Sequence, residues 1–195
     1  MKKLYIFDMG GVLAYNCEVL PDIISYLNIN EEEFFAYADK DLGKFIRGSI
    51  NGNEFWIKFS ERYGQKVEEE LFSKFFNPKM DERVKLLIRQ LKDDSRVVCG
   101  TNTVDPHYDY FIKHGDYDIF NAVYASNKMG VSKPNPDFYW YILREEGIKP
   151  ENAVFVDDTE ENIISAQKIG INSILFTDSD YLKQQIETFN NSKGK

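Results

Sequence analysis

Lys3-Leu4-Tyr5-Ile6-Phe7-Asp8-Met9-Gly10-Gly11-Val12-Leu13 is an apolar run that delivers one aspartate into a glycine turn. A short apolar run ended by a turn signal reads as a buried β-strand. Glycine after the aspartate leaves the backbone bare, so a ligand can approach the Asp8 carboxylate closely. Turn capping is the alternative role for an aspartate at this place.

Working outward, three further apolar runs read as strands: Arg96 to Cys99, Ala153 to Val156 and Ser173 to Phe176. Ala122 to Tyr124 is a weaker one. Between them lie helical spacings. Val84, Leu87, Ile88 and Leu91 fall at i, i+3, i+4 and i+7, one buried helix face. Phe138, Tyr141 and Ile142 form a second face, and Ile163, Ala166 and Ile169 a third, stopped by Gly170. Strands alternating with helices predict an α/β fold with a Rossmann-like, doubly wound parallel sheet.

Residues 15–84 carry no convincing strand. Asn30 before Glu31-Glu32-Glu33 and Asn53 before Phe55, Phe59 and Tyr63 are N-cap signals. Leu71, Phe72, Phe75 and Phe76 form another apolar face, which Asn77-Pro78 is expected to end. The expected layout is a core of residues 1–14 and 85–195 with an inserted α-helical cap over 15–84. The tail from Asn190 onward is expected to fray.

The chain has 195 residues, enough for a core without staples, and its formal charge is −8. That charge argues against nucleic-acid and anionic-membrane surfaces. Its two cysteines, Cys17 and Cys99, suggest neither a disulfide nor a zinc site. With no run long enough for a membrane span, a soluble, cytoplasmic monomer or weak dimer is expected.

In an open parallel sheet, ligands bind beyond the carboxyl ends of the strands. The residues there are Asp8, Thr101-Asn102-Thr103 and Asp157-Asp158. Adjacent carboxylates repel unless a cation compensates. With Asp8 they make a hard oxygen site suited to Mg2+. Thr101 and Asn102 offer donors for an anion at a helix mouth. Lys133, fixed in Ser132-Lys133-Pro134-Asn135-Pro136, can neutralise a phosphoryl group.

These four groups, in this order, resemble the four motifs of the haloacid dehalogenase-like (HAD) hydrolase superfamily. Phe7 to Leu13 is similar to the first motif, and Val97 to Thr103 to the second. Gly130-Val131-Ser132-Lys133-Pro134 is similar to the third, and Phe155 to Asn162 to the fourth. The opening resembles the helical-capped branch that includes sugar-phosphate phosphatases. The resemblance implies a Mg-dependent phosphatase of a small phosphorylated metabolite. Asp8 would be the nucleophile, forming an aspartyl-phosphate. Asp8, the Gly10 carbonyl and Asp158 would hold Mg2+, with Asp157 as an adjacent ligand or a group behind the ligands, and Asn162 would orient a metal-bound water. Thr101 and Asn102 would bind phosphoryl oxygens, Lys133 would offset charge, and Arg47 would reach a second anionic group.

One departure stands out. Relatives usually carry a second aspartate, the general acid and base, two residues after the nucleophile. Gly10 occupies that position. Acid–base assistance supplies about 10²–10⁴-fold in rate, so turnover is expected to be low unless another group such as His107 substitutes. The alternatives are a non-catalytic phosphate-binding or regulatory relative, and a 2-haloacid dehalogenase, against which Asp157-Asp158 counts.

Overall fold

The computed structural model describes residues 3–192. In chain order, strand β1 (Leu4–Phe7) leads to a two-residue strand β2 (Ala14–Tyr15). Four helices follow: α1 (Leu20–Leu27), α2 (Glu31–Ile46), α3 (Gly52–Tyr63) and α4 (Leu71–Phe75). Strand β3 (Lys79–Met80) pairs antiparallel with β2 and closes this helical segment. Then come α5 (Glu82–Leu91), β4 (Arg96–Thr101), α6 (Asp105–His114), β5 (Val123–Ala125) and α7 (Ser126–Met129). The chain continues through α8 (Pro136–Glu146), β6 (Ala153–Asp157), α9 (Glu160–Lys168), β7 (Asn172–Leu175) and α10 (Ser179–Ser192).

The five long strands form one parallel sheet in the order β5-β4-β1-β6-β7. The central strands β1, β4 and β6 are buried on both faces, which is why they read as unbroken apolar runs. Side chains alternate between the faces. Tyr5, Phe7, Val97, Cys99, Val154 and Val156 pack toward a core shared with α5, α6 and the helical segment. Leu4, Ile6, Val98 and Phe155 pack against Phe138, Ile142 and Ile163 of α8 and α9.

Register positions the chemistry. Phe7 lies opposite Cys99 on one side and Val156 on the other. The next residue of each strand, Asp8, Gly100 and Asp157, therefore emerges at the same edge. The Asp8 N–H donates to the Val156 carbonyl at 2.9 Å, carrying the ladder one residue further.

The helical segment is anchored over this edge. The Ser126 hydroxyl donates to the Ile46 carbonyl at 2.7 Å. Gly48 has φ +67°, and a Cβ there would sit 1.9 Å from the Asn127 carbonyl oxygen, so only glycine permits this approach.

Several expectations shift. Residues 15–84 contain Tyr15 of β2, all of β3 and the first turn of α5. Asn30 caps α2 in a capping box with Glu33, as expected. The cap of α3 is Asn51, paired with Glu54, and not Asn53. Helix α4 stops at Phe75, two residues before Asn77-Pro78. On α8 the buried face is Phe138, Tyr139, Ile142 and Leu143, while Tyr141 is exposed. Tyr139 is drawn inward because its hydroxyl donates to the Asn162 carbonyl at 2.9 Å. Helix α10 runs to Ser192, and the Asn190 side chain accepts from Lys3 and Tyr5, so the tail is tied down that far. Residues 193–195, also expected to fray, lie outside the described residues. Among the described residues no helix is long and apolar enough to cross a membrane.

Candidate active site

Asp8 is 9 % exposed at the end of β1. One carboxylate oxygen accepts from the Met9 N–H at 2.7 Å, and the other lies 2.8 Å from the Lys133 ammonium. Burial pushes the Asp8 carboxyl up to about 7. Lys133 opposes this, and the neighbouring Asp157 charge adds to it.

Lys133 comes from the loop before α8, and its side chain is 1 % exposed. Its ammonium has three acceptors: Asp8 at 2.8 Å, Asp157 at 2.7 Å and the Gly100 carbonyl at 3.1 Å. Burial alone would lower its pKa, but the Asp8 and Asp157 charges outweigh it and raise the value. The lysine is a buried, permanently charged counter-ion.

Asn102 holds the lysine in place. Its side-chain amide donates to the Lys133 carbonyl at 2.9 Å, and its side-chain oxygen accepts from the Lys133 N–H at 2.8 Å. Sequence reasoning missed this grip because it spans 31 positions and carries no local pattern.

The two adjacent aspartates face different environments. Asp157 is fully buried. One of its oxygens meets Lys133; the other accepts from the Thr159 N–H at 2.8 Å and the Asn162 amide at 3.0 Å. Asp158 is exposed, and its carboxyl is raised by partial burial and then by the Asp157 charge. It approaches the first glycine turn so closely that a Cβ on Gly11 would lie 1.9 Å from its Oδ2. Gly11 also has φ +76°, so two constraints demand glycine.

Asp8, Asp157 and Asp158 each bring one carboxylate oxygen to within 4.8 Å of the others. Three hard oxygens at this spacing, with two carboxyls raised by burial and mutual charge, are the donor set a divalent cation such as Mg2+ takes.

The remaining candidates lie as follows. Thr101 ends β4 beside this cluster and is 2 % exposed. Gly10 sits in the turn, bridged to Ala14. Cys17, which no sequence signal marked, lies alongside, its Cβ 3.6 Å from where a Gly10 Cβ would be. Burial, then the Asp8 and Asp158 charges, push its thiol up to about 12. Arg47 follows α2, its guanidinium turned back against Gly43 of the same helix, 3.3 Å from a Cβ placed there.

His107, the candidate substitute donor, is engaged with the end of the helical segment. It stacks on Phe76 with ring centroids 3.7 Å apart, and its Nε2 contacts the Phe72 carbonyl at 3.2 Å. Burial lowers its pKa to about 4, so it is neutral near pH 7. It joins α6 to the end of the helical segment.

Residues 5–176 match the family model described as haloacid dehalogenase-like hydrolase. The chain belongs to the haloacid dehalogenase-like hydrolases. It is 30 % identical over 183 residues to a sesquiterpene phosphatase of Aspergillus oryzae, covering 91 % of each chain. It is 26 % identical over 195 residues to a drimenol cyclase of Aspergillus calidoustus; that match takes in 95 % of this chain and only 36 % of the other. A HAD-family enzyme of Bacteroides thetaiotaomicron, crystallised with magnesium and inorganic phosphate, superposes with a TM-score of 0.76. That enzyme is 25 % identical, over 93 % of this chain and 99 % of its own.

Proposed function

We propose that this HAD hydrolase is a magnesium-dependent phosphatase of a small phosphorylated metabolite. The observation that carries the reading is the shared ion pair: one buried lysine holds Asp8, at a strand end, beside Asp157 and within reach of Asp158. In this reading an Asp8 oxygen attacks phosphorus, the bond to the leaving oxygen breaks, and an aspartyl-phosphate results. Water then cleaves that acyl phosphate and frees Asp8. Lys133 favours the ionised form of Asp8 against burial and offsets charge on the transferring group. Thr101 and the N–H of Asn102 receive phosphoryl oxygens.

Asp8, Asp158 and the Gly10 carbonyl would hold the magnesium ion, which when bound supplies charge neutralisation at the phosphoryl oxygens. Asp157 serves by position, since Lys133, Thr159 and Asn162 already fill both its oxygens. The helical segment acts as the cap. The HAD enzyme crystallised with magnesium and phosphate and the sesquiterpene phosphatase support this reading.

A second reading, phosphate binding without turnover, draws on Gly10, which brings no proton donor, and on the engagement of His107 with Phe72. A magnesium-supplemented screen of phosphomonoesters separates the two. The expected result is hydrolysis abolished by EDTA, restored by magnesium and reduced to background in Asp8→Asn. Full activity in chelator, or in Asp8→Asn, would overturn the proposal.

A further inference from the structure

We propose that the alcohol half of the substrate is a short alkyl chain and not a polyol. The inference rests on the phosphatase reading and concerns the cavity beside its site. That cavity, of about 230 Å³, lies between the helical segment and the end of β4. Asn102, which grips Lys133, and Cys17, beside Gly10, form part of its wall.

Most of the wall is apolar. Val19 and Leu20 of the first helix region, Leu42 and Ile46 of α2, Phe72 of α4 and Val104 line it. None of the described residues lining it is a lysine or arginine, so a second phosphate or a carboxylate on the substrate would meet no counter-charge. Glu18, exposed at the same wall, would repel one.

Three of the polar side chains in the wall already hold a partner. Both ends of the Asn102 amide are used on the Lys133 backbone. The Thr103 hydroxyl contacts the Val104 carbonyl at 3.4 Å. His107 presents its Nε2 to Phe72. A buried polyol would lose its water partners and gain few here. Each unpaired hydroxyl would weaken transition-state binding by roughly five- to 150-fold. Each buried methylene would instead strengthen it about fourfold. The cavity is small against typical ligand sites, which limits the chain to a few carbons.

The test is kcat/KM for the magnesium-dependent hydrolysis of propyl, butyl, pentyl and hexyl phosphates and of ribitol 5-phosphate. From propyl onward the leaving group is chemically constant, so the trend reads burial. The expected result is a rise of about fourfold per methylene until the cavity fills, with ribitol 5-phosphate below butyl phosphate. Leu42→Asn and, separately, Leu20→Asn should cut the rise below twofold per methylene, with folding checked by circular dichroism. A flat series, or ribitol 5-phosphate as the best substrate, overturns the inference and leaves the phosphatase reading standing. An undiminished rise in both folded variants overturns the assignment to this cavity. No hydrolysis of any phosphomonoester overturns both readings together.

Discussion

Lys133→Met tests how the site is held together. The ammonium is the shared partner of two buried carboxylates, at 2.8 Å from Asp8 and 2.7 Å from Asp157, and also meets the Gly100 carbonyl. Methionine fills similar space and supplies no charge and no donor. Removing one partner of a buried ion pair costs about 3–5 kcal/mol, because the charge left behind has lost its compensation. The expected loss at pH 7.5 in EDTA is therefore about 3–5 kcal/mol, read from urea unfolding. Two further measurements separate lost charge pairing from lost packing. Adding Asp157→Asn removes one stranded carboxylate, so the double variant should be more stable than the two single losses predict, by about 1–3 kcal/mol. The pH dependence should change as well. Without Lys133 the folded Asp8 carboxyl rises beyond its present value of about 7. A carboxyl raised on folding favours the folded state at low pH and loses that stability as pH rises through the folded value. The deficit of Lys133→Met against the native protein should therefore narrow between pH 8 and pH 5. Additive losses, or a deficit below about 1 kcal/mol, would show that the lysine is not the counter-ion of this cluster.

Three other perturbations address separate parts of the molecule. His107 has a folded pKa of about 4 against 6.5 for the free side chain. The folded value is the lower one, so its stabilising contribution is complete above pH 6.5 and declines as pH falls toward 4, by about 3 kcal/mol. The stability gap between the native protein and His107→Gln should close by that amount from pH 7 to 4, and parallel pH curves would refute the assignment. Gly11→Ala places a methyl 1.9 Å from Asp158 Oδ2 and should raise the magnesium concentration for half-activation at least about tenfold; an unchanged titration would show that Asp158 moves aside freely. Gly10→Asp meets only ordinary contact with Cys17 at its Cβ, 3.6 Å away. It should raise kcat on alkyl phosphates by about 10²-fold, with little change on p-nitrophenyl phosphate, and equal effects on both would contradict proton donation to the leaving oxygen.

Strands β1, β4 and β6 were legible because burial on both faces writes an unbroken apolar run. Strands β2 and β3 were not, since two residues cannot carry a periodicity. The cap of α3 is Asn51 because Glu54, three residues on, completes its capping box, a pairing that the reading of Asn53 passed over. On α8, Tyr141 and Tyr139 both fit a helix spacing, and a hydroxyl bond to a distant carbonyl settled which one turned inward. At the site, the sequence named the three aspartates and the lysine by their places at strand ends and in a proline-flanked loop. It could not divide labour between Asp157 and Asp158, because that depends on which carboxylate Lys133 and Asn162 reach. The Asn102 grip and the nearness of Cys17 to Gly10 are likewise products of tertiary approach.

The departures from ordinary folding preference gather at one sheet edge. Buried carboxylates, a buried ammonium, adjacent aspartates and a left-handed glycine each lower stability when taken alone. Their concentration in one place is the pattern expected where function overrides packing. Their charges also explain one another. Three carboxylates against one ammonium leave two negative charges without a protein partner. Burial first, and then the Asp157 charge, raise the Asp8 and Asp158 carboxyls in the chain by itself. A divalent cation carries the charge that would restore balance. Lysine alone neutralises only one carboxylate. Gly11 leaves room for Asp158 to approach that space, and Asn102 keeps Lys133 from drifting out of it.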